Sequence, residues 1–234
     1  MGFLSEDDTK DIDLTPEFIV KSDLDIQTMM SIFEYAKKHH HTVVITGGYA
    51  TEAQLGGRIL RAHGDIDCIL LKHTDVANDQ IFEEVQAILA KEKTDWQFIR
   101  QAANKLDCRE KRTDIPFNLR RRFELKIPRE KWPESEYEPK TLYNSVGEAV
   151  HLTVSSLYPL IREKIHKFYE VRNGVDEVKD RVSSLCDVID LARLLGSENV
   201  NKYELLKHVT QEEYEYILRL LNKLSPRISK YLIK

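Results

Sequence analysis

The sequence predicts a mixed α/β (α+β) fold: a mixed-sheet core with an acidic arm over residues 1–154, then a helical domain over residues 155–234. Three observations lead there. Between Thr42 and Leu71 two apolar, strand-like runs flank a Gly47-Gly48 turn and a short helical stretch. An amphipathic helix follows, and then a succession of short strand-like segments. After Ser155 the pattern changes to helical stripes.

In chain order, Met1 to Leu14 is acidic, lacks an amphipathic period and is expected to be a loose arm. Thr15-Pro16 can start a short element, and Ser22 or Asp23 can cap a helix whose apolar face includes Ile26, Met29, Met30 and Phe33. His39, His40 and His41 close that helix. Consecutive histidines fan out rather than converge on an ion, so a solvated helix end is the expectation. Thr42 to Thr46 reads as a buried strand, and a second apolar strand carries Asp65 and Asp67. Asp75 to Asp79 makes a polar turn before a helix with Ile81, Phe82, Val85, Ile88 and Leu89 at three-four spacing.

Strands are then predicted at Trp96 to Ile99, Lys105 to Cys108 and Arg122 to Ile127. Pro128, Pro133 and Pro139 mark a charged loop, with further edge strands at Leu142-Tyr143 and Val150 to Val154. Ser155 or Ser156 can cap a helix with Leu157, Leu160, Ile161, Ile165 and Phe168 on one stripe, ended by Asn173-Gly174. A second stripe runs through Val178, Val182, Leu185, Ile189 and Leu194. Thr210 and Glu213 form a capping box before Ile217, Leu220, Leu221 and Leu224.

At 234 residues and 41% apolar, the chain can bury a real core. A formal charge of −4 argues against a broad nucleic-acid-binding surface. No apolar run approaches a membrane span, and nothing before Asp7 and Asp8 reads as a signal peptide. Cys68, Cys108 and Cys186 are odd in number and widely separated, as reduced thiols of a cytoplasmic protein would be.

The chemistry concentrates at Thr42 to Leu71. Strand alternation turns Asp65 and Asp67 to one side, with Ile66 and Cys68 to the other. Two adjacent carboxylates repel, and a divalent cation relieves that repulsion. Gly47 and Gly48 allow close backbone approach, and the following helix start favours an anion. Together these describe a site for a metal-bound nucleoside triphosphate.

The order Gly47-Gly48-Tyr49-Ala50, Gly57-Arg58, Arg61, His63, Asp65 and Asp67 resembles the signature of the nucleotidyltransferase superfamily. This is the polymerase-beta-like fold, and the likeness is nearest to the enzymes that modify aminoglycoside and lincosamide antibiotics. The chain departs from it in Tyr49, where tryptophan is usual, and in the doubled Gly56-Gly57. Asp11-Ile12-Asp13 and Asp23-Leu24-Asp25 repeat the acidic spacing without the preceding glycines, so the tripeptide alone is not specific.

The resemblance implies that Asp65 and Asp67 hold Mg2+ against the triphosphate, and that a third carboxylate from a later strand completes the site. Strand order favours Glu124; the local pattern Lys105-Leu106-Asp107-Cys108 keeps Asp107 as the alternative. Gly47, Gly48, Arg58, Arg61 and Lys164 are the implied nucleotide-binding residues, while His63 is expected to brace its loop. The family's lysine-aspartate helix motif has no clean copy: Lys179-Asp180 comes early and Cys186-Asp187 lacks the lysine. Arg120 to Arg122 could guide an anionic acceptor, though a short charge run is usually a solvated face. Glu134, Glu136 and Glu138 could attract a cationic one.

The implied function is Mg2+-dependent transfer of a nucleoside monophosphate, with ATP the first choice of donor, to a hydroxyl of a small molecule of antibiotic type. The alternatives are a toxin-like nucleotidyltransferase acting on RNA or protein, and a non-catalytic nucleotide-sensing module of the same fold.

Overall fold

Thr15 and Pro16 start the first long helix. The Thr15 hydroxyl accepts the Phe18 N–H, and proline at the first helical position needs no partner for the N–H it lacks. A computed structural model describes residues 13–116, 119–172 and 181–228, and in it α1 runs Pro16–Lys38. The helix therefore begins six residues before Ser22, the earlier of the two expected caps, Ser22 and Asp23. Its buried face is set by Phe18, Ile26, Met29, Ile32, Tyr35 and Ala36, while Met30 stays exposed. The histidine segment is not fully solvated either, since His41 is buried behind the turn at His40. The acidic arm lies mostly outside the described residues, as do Asn173-Gly174, Val178 and Lys179-Asp180.

The described strands form one seven-stranded mixed sheet. They are β1 (Thr42–Ile45), β2 (Ile66–Leu71), β3 (Trp96–Ala102), β4 (Lys105–Glu110), β5 (Arg122–Lys126), β6 (Tyr137–Tyr143) and β7 (Ala149–Ser155). Across the sheet the order is β3-β4-β5-β2-β1-β7-β6. Pairs β2/β5 and β1/β7 are parallel; the other neighbours are antiparallel. Between β1 and β2 lies α2 (Gly47–Gln54), and between β2 and β3 lies α3 (Asn78–Leu89), which buries Ile81, Phe82, Val85 and Leu89.

Val43, Val44, Ile45, Ile66, Leu70, Phe123 and Leu125 fill the middle of the sheet. The proline-rich loop is shorter than its composition suggests. Pro139 sits inside β6, an edge strand, where a missing ladder N–H is tolerated. By contrast β7, expected at an edge, is internal between β1 and β6.

Leu14–Ser155 forms one compact unit, and the helices after Ser155 belong to a second. These are α4 (Leu157–Arg172), α5 (Arg181–Leu195), the short α6 (Lys202–Leu205) and α7 (Gln211–Ile228). Within this second unit Leu185, Val188 and Ile189 pack against Phe168, Leu220, Leu221 and Leu224. The capping box forms at α7: the Thr210 N–H donates to Glu213 Oε2 at 2.7 Å, and the Glu213 N–H to Thr210 Oγ1 at 3.2 Å.

Candidate active site

The site begins where β1 ends. Thr46 leaves the strand in an extended conformation, and its N–H donates to the Asp67 carbonyl at 2.9 Å, tying the turn to β2. Gly47 then takes a left-handed φ of +64° and opens α2. A Cβ there would lie 2.4 Å from Asp67 Oδ2. At Gly48 a Cβ would lie 2.4 Å from His63 Nδ1 and 2.9 Å from Arg61 Nη2. Both positions are glycine because charged side chains crowd the helix start, which presents its N–H groups beside Asp67.

Asp67 on β2 is the direct register partner of Glu124 on β5, and Glu124 is in turn the partner of Asp107 on β4. The three carboxylates thus stand in a row on one side of the sheet. Phe123 and Leu125 go to the core on either side of Glu124 and force it outward. Asp65 lies two residues before Asp67, on the same side. Asp65, Asp67 and Glu124 each offer an oxygen within 4.8 Å of the others, the only such group among the described residues.

Two cations share this cluster. The Arg122 guanidinium bonds Asp107 through Nε at 3.0 Å and Nη2 at 3.1 Å; Nη2 also contacts Glu124, and Nη1 lies 3.8 Å from Asp65. Lys105 Nζ holds the second Glu124 oxygen at 2.6 Å. Asp107 is wholly buried and also receives Gln101 Nε2 at 2.8 Å and two nitrogens of Arg109. Burial alone would raise its pKa, but the hydrogen bonds and charges of Arg122 and Arg109 hold it below the usual carboxylate range. Conversely, burial would lower the Arg122 pKa, and Asp107, Glu124 and Asp65 outweigh this to raise it.

Beneath the glycine turn a buried polar network fixes α2 to α1. The Tyr49 hydroxyl donates to Asp25 Oδ2 at 2.9 Å, and Lys21 Nζ and Arg121 Nε reach the same carboxylate at 2.8 and 2.9 Å. Arg121 further bonds Glu92, Thr94 and the Leu24 carbonyl, and lies over the Trp96 ring. The His63 ring packs tilted against Tyr49 and approaches Glu52 at 3.3 Å, while Lys21 Nζ holds the His63 carbonyl. Arg61 is buried and donates to the Ala62 carbonyl. It braces the loop leading into Asp65.

Gly47, Gly48, Arg61, Asp65, Asp67 and Glu124 are therefore gathered around one turn. Arg58 is not. It is exposed and bridges Tyr143, lining an open groove of about 820 Å³ with Asp23, Leu60 and Val146. Tyr143 pairs with Ala149 at the start of β7, whereas Val154, near its end, pairs with Ile45 beside the glycine turn. Five residues of strand, about 17 Å, separate the two ends. Within the helical unit Lys164 is buried, its ammonium held by Asp187 and Asp190 at 2.9 Å each.

The Arg120 to Arg122 run is divided by the fold: Arg121 enters the core and Arg122 the carboxylate row. The available signal was the register: Arg122 sits two residues before Glu124 and so shares its face. Glu138, expected in the acidic loop, lies in β6 and accepts from Gln54 Nε2 at 2.9 Å.

A family model for aminoglycoside-2''-adenylyltransferases matches residues 28–147, half of the chain. Among solved structures, an antigenic nucleotidyltransferase-like protein from Paracoccidioides brasiliensis is similar at 18% identity over 94% of each chain, with a TM-score of 0.49. The antibiotic-resistance factor ANT(2'')-Ia is similar at 15% identity over 85% of this chain and 97% of its own, with a TM-score of 0.48. The Cid1 poly(U) polymerase aligns over 51% of this chain and 35% of its own, at 13% identity and a TM-score of 0.35. No curated protein matches the sequence.

Proposed function

The chain belongs to the aminoglycoside-2''-adenylyltransferase family, and from that premise we propose a Mg2+-dependent transfer of AMP from ATP to a hydroxyl of an aminoglycoside-type small molecule. The observation that carries this reading is the convergence of Asp65, Asp67 and Glu124 beside the Gly47 turn. Three carboxylates within 4.8 Å are a donor set suited to a hard, oxygen-seeking divalent ion. Hydrogen at Gly47 and Gly48 in place of a Cβ leaves the α2 N–H groups accessible to phosphate oxygens.

Bound Mg2+ would neutralise phosphate charge and polarise the α-phosphorus for in-line displacement. Asp65 and Asp67 are the residues that would hold it, with Glu124 the third ligand or the acceptor of the hydroxyl proton. The hydroxyl oxygen forms a bond to the α-phosphorus while the bond from that phosphorus to the bridging oxygen breaks. Pyrophosphate leaves, and the hydroxyl proton passes to a carboxylate or to solvent. The fixed backbone of the glycine turn orients the triphosphate, and Arg61 and His63 hold that turn rather than touch the nucleotide.

The experiment is a pyrophosphate-release assay with ATP and Mg2+ across aminoglycosides, other small hydroxylated molecules and RNA. Acceptor-dependent release that stops in excess chelator, and in Asp67→Asn, is expected. ATP binding of equal strength with Mg2+ and with chelator would defeat the reading.

A further inference from the structure

We propose that Arg122 is a built-in counter-cation of the carboxylate site, latched by Asp107, and that it sets the affinity of the site for a divalent ion. The inference rests on the metal-site reading of Asp65, Asp67 and Glu124.

Glu124 has both carboxylate oxygens engaged, one by Arg122 Nη2 and the other by Lys105 Nζ at 2.6 Å. The same guanidinium lies 3.8 Å from Asp65. Two of the three prospective ligands therefore already face a positive charge. These nitrogens offset part of the repulsion among three carboxylates whose oxygens lie within 4.8 Å of one another. A divalent ion entering the triad meets positive charge already placed on Glu124, so ion binding is an exchange of cations around that carboxylate rather than the filling of a bare acidic site.

Asp107 gives the exchange a direction. It accepts Nε and Nη2 of Arg122 side by side, the bidentate geometry that fixes a guanidinium plane. It is wholly buried and is held in turn by Arg109 and Gln101. An Arg122 that gives up Glu124 keeps its anchor on Asp107, so release costs one ion pair rather than three. This also separates the two candidate third carboxylates by role. Glu124 faces the triad, and Asp107 restrains the cation that competes for it.

The test uses Mn2+ alone as the probe, titrated into the full-length protein and followed by calorimetry and by the loss of free-ion spin resonance signal. Arg122→Met preserves bulk and removes the charge, and should tighten Mn2+ binding about tenfold, the scale expected for a unit charge near a dication in a partly exposed site. Arg122→Lys keeps the charge and should bind within about twofold of the wild type. Asp107→Asn should weaken binding, because it frees Arg122 to lean on Glu124. Most of that loss should vanish in the Arg122→Met/Asp107→Asn double variant, which a purely local charge effect of Asp107 would not produce.

Wild-type binding with no tightening in Arg122→Met, or equal tightening in Arg122→Lys, overturns the counter-cation. If neither wild type nor Arg122→Met binds Mn2+, the metal-site reading itself falls. Should Arg122→Met not fold, Lys105→Met carries the same test through the other Glu124 oxygen. Unchanged affinity there overturns the exchange.

Discussion

Asp107 lies directly opposite Glu124 across an antiparallel strand pair, yet the two carboxylates have opposite surroundings. Asp107 is wholly buried under Arg109 and Arg122, whereas Glu124 reaches the accessible group formed with Asp65 and Asp67. Substituting each by its amide should therefore separate chemistry from structure. Glu124→Gln should abolish turnover with a thermal midpoint close to wild type, because Glu124 emerges from a strand whose neighbours Phe123 and Leu125 fill the core. Asp107→Asn should cost about 2 kcal/mol in urea unfolding, less than a fully buried pair because Arg109 and Arg122 are partly exposed. Wild-type turnover in Glu124→Gln would remove it from the catalytic set.

The glycine turn yields a contrast between two positions of positive φ. Gly47→Ala places a Cβ against Asp67 Oδ2 and also carries left-handed strain of about 1–2 kcal/mol. Gly56→Ala meets open space at φ +102°. Both should lower the urea midpoint, but only Gly47→Ala should weaken Mn2+ and ATP binding, by more than about tenfold. Equal ligand affinities in the two variants would mean that Asp67 tolerates the intrusion and is not a ligand.

Part of this arrangement was legible from the chain alone, because strands have a period of two. Alternation was enough to turn Asp65 and Asp67 to one side and to bring Glu124 out between Phe123 and Leu125. The first turns of α1 were harder, since Lys21, Ser22 and Asp25 look like surface residues and are buried by partners distant in sequence. Arg121 and Arg122 show the same limit. Adjacent like charges read as a solvated run, but neighbouring strand-edge residues face opposite sides, and each found its own carboxylate. Pro139 misled for a related reason: its cost depends on whether the strand is an edge, which is a property of the whole sheet.

Tyr49, where the resembling enzymes usually carry tryptophan, has a hydroxyl buried against Asp25. Burial and the nearby Asp25 charge push its pKa well up, so it stays a neutral donor. Tyr49→Phe should cost about 1–2 kcal/mol through the lost donor. Arg121→Met should cost more, about 3 kcal/mol or above, because it removes one of two cations from a carboxylate with no access to water and also breaks the Glu92 pair. Urea unfolding of the two variants checks the order. A larger loss in Tyr49→Phe would show that Lys21 alone suffices to neutralise Asp25.

The depressed pKa of Asp107 makes part of the sheet unit's stability depend on acid, with a definite sign. A carboxylate whose folded pKa lies below its unfolded one binds fewer protons in the folded state. Its stabilisation is complete above the unfolded value, near 4, and is lost as pH falls through the folded value. Asp107→Asn cannot titrate there. The stability difference between wild type and Asp107→Asn should therefore be constant from pH 7 to about pH 5, and should shrink steadily below pH 4 as the wild type protonates. Intrinsic fluorescence of Trp96, packed against Arg121 in the same unit, can follow urea unfolding at each pH, with Trp132→Phe as the common background. A difference that stays constant to pH 3 would show that Asp107 holds Arg109 and Arg122 through shape and hydrogen bonding rather than through its charge, and the latch on Arg122 would then survive acid.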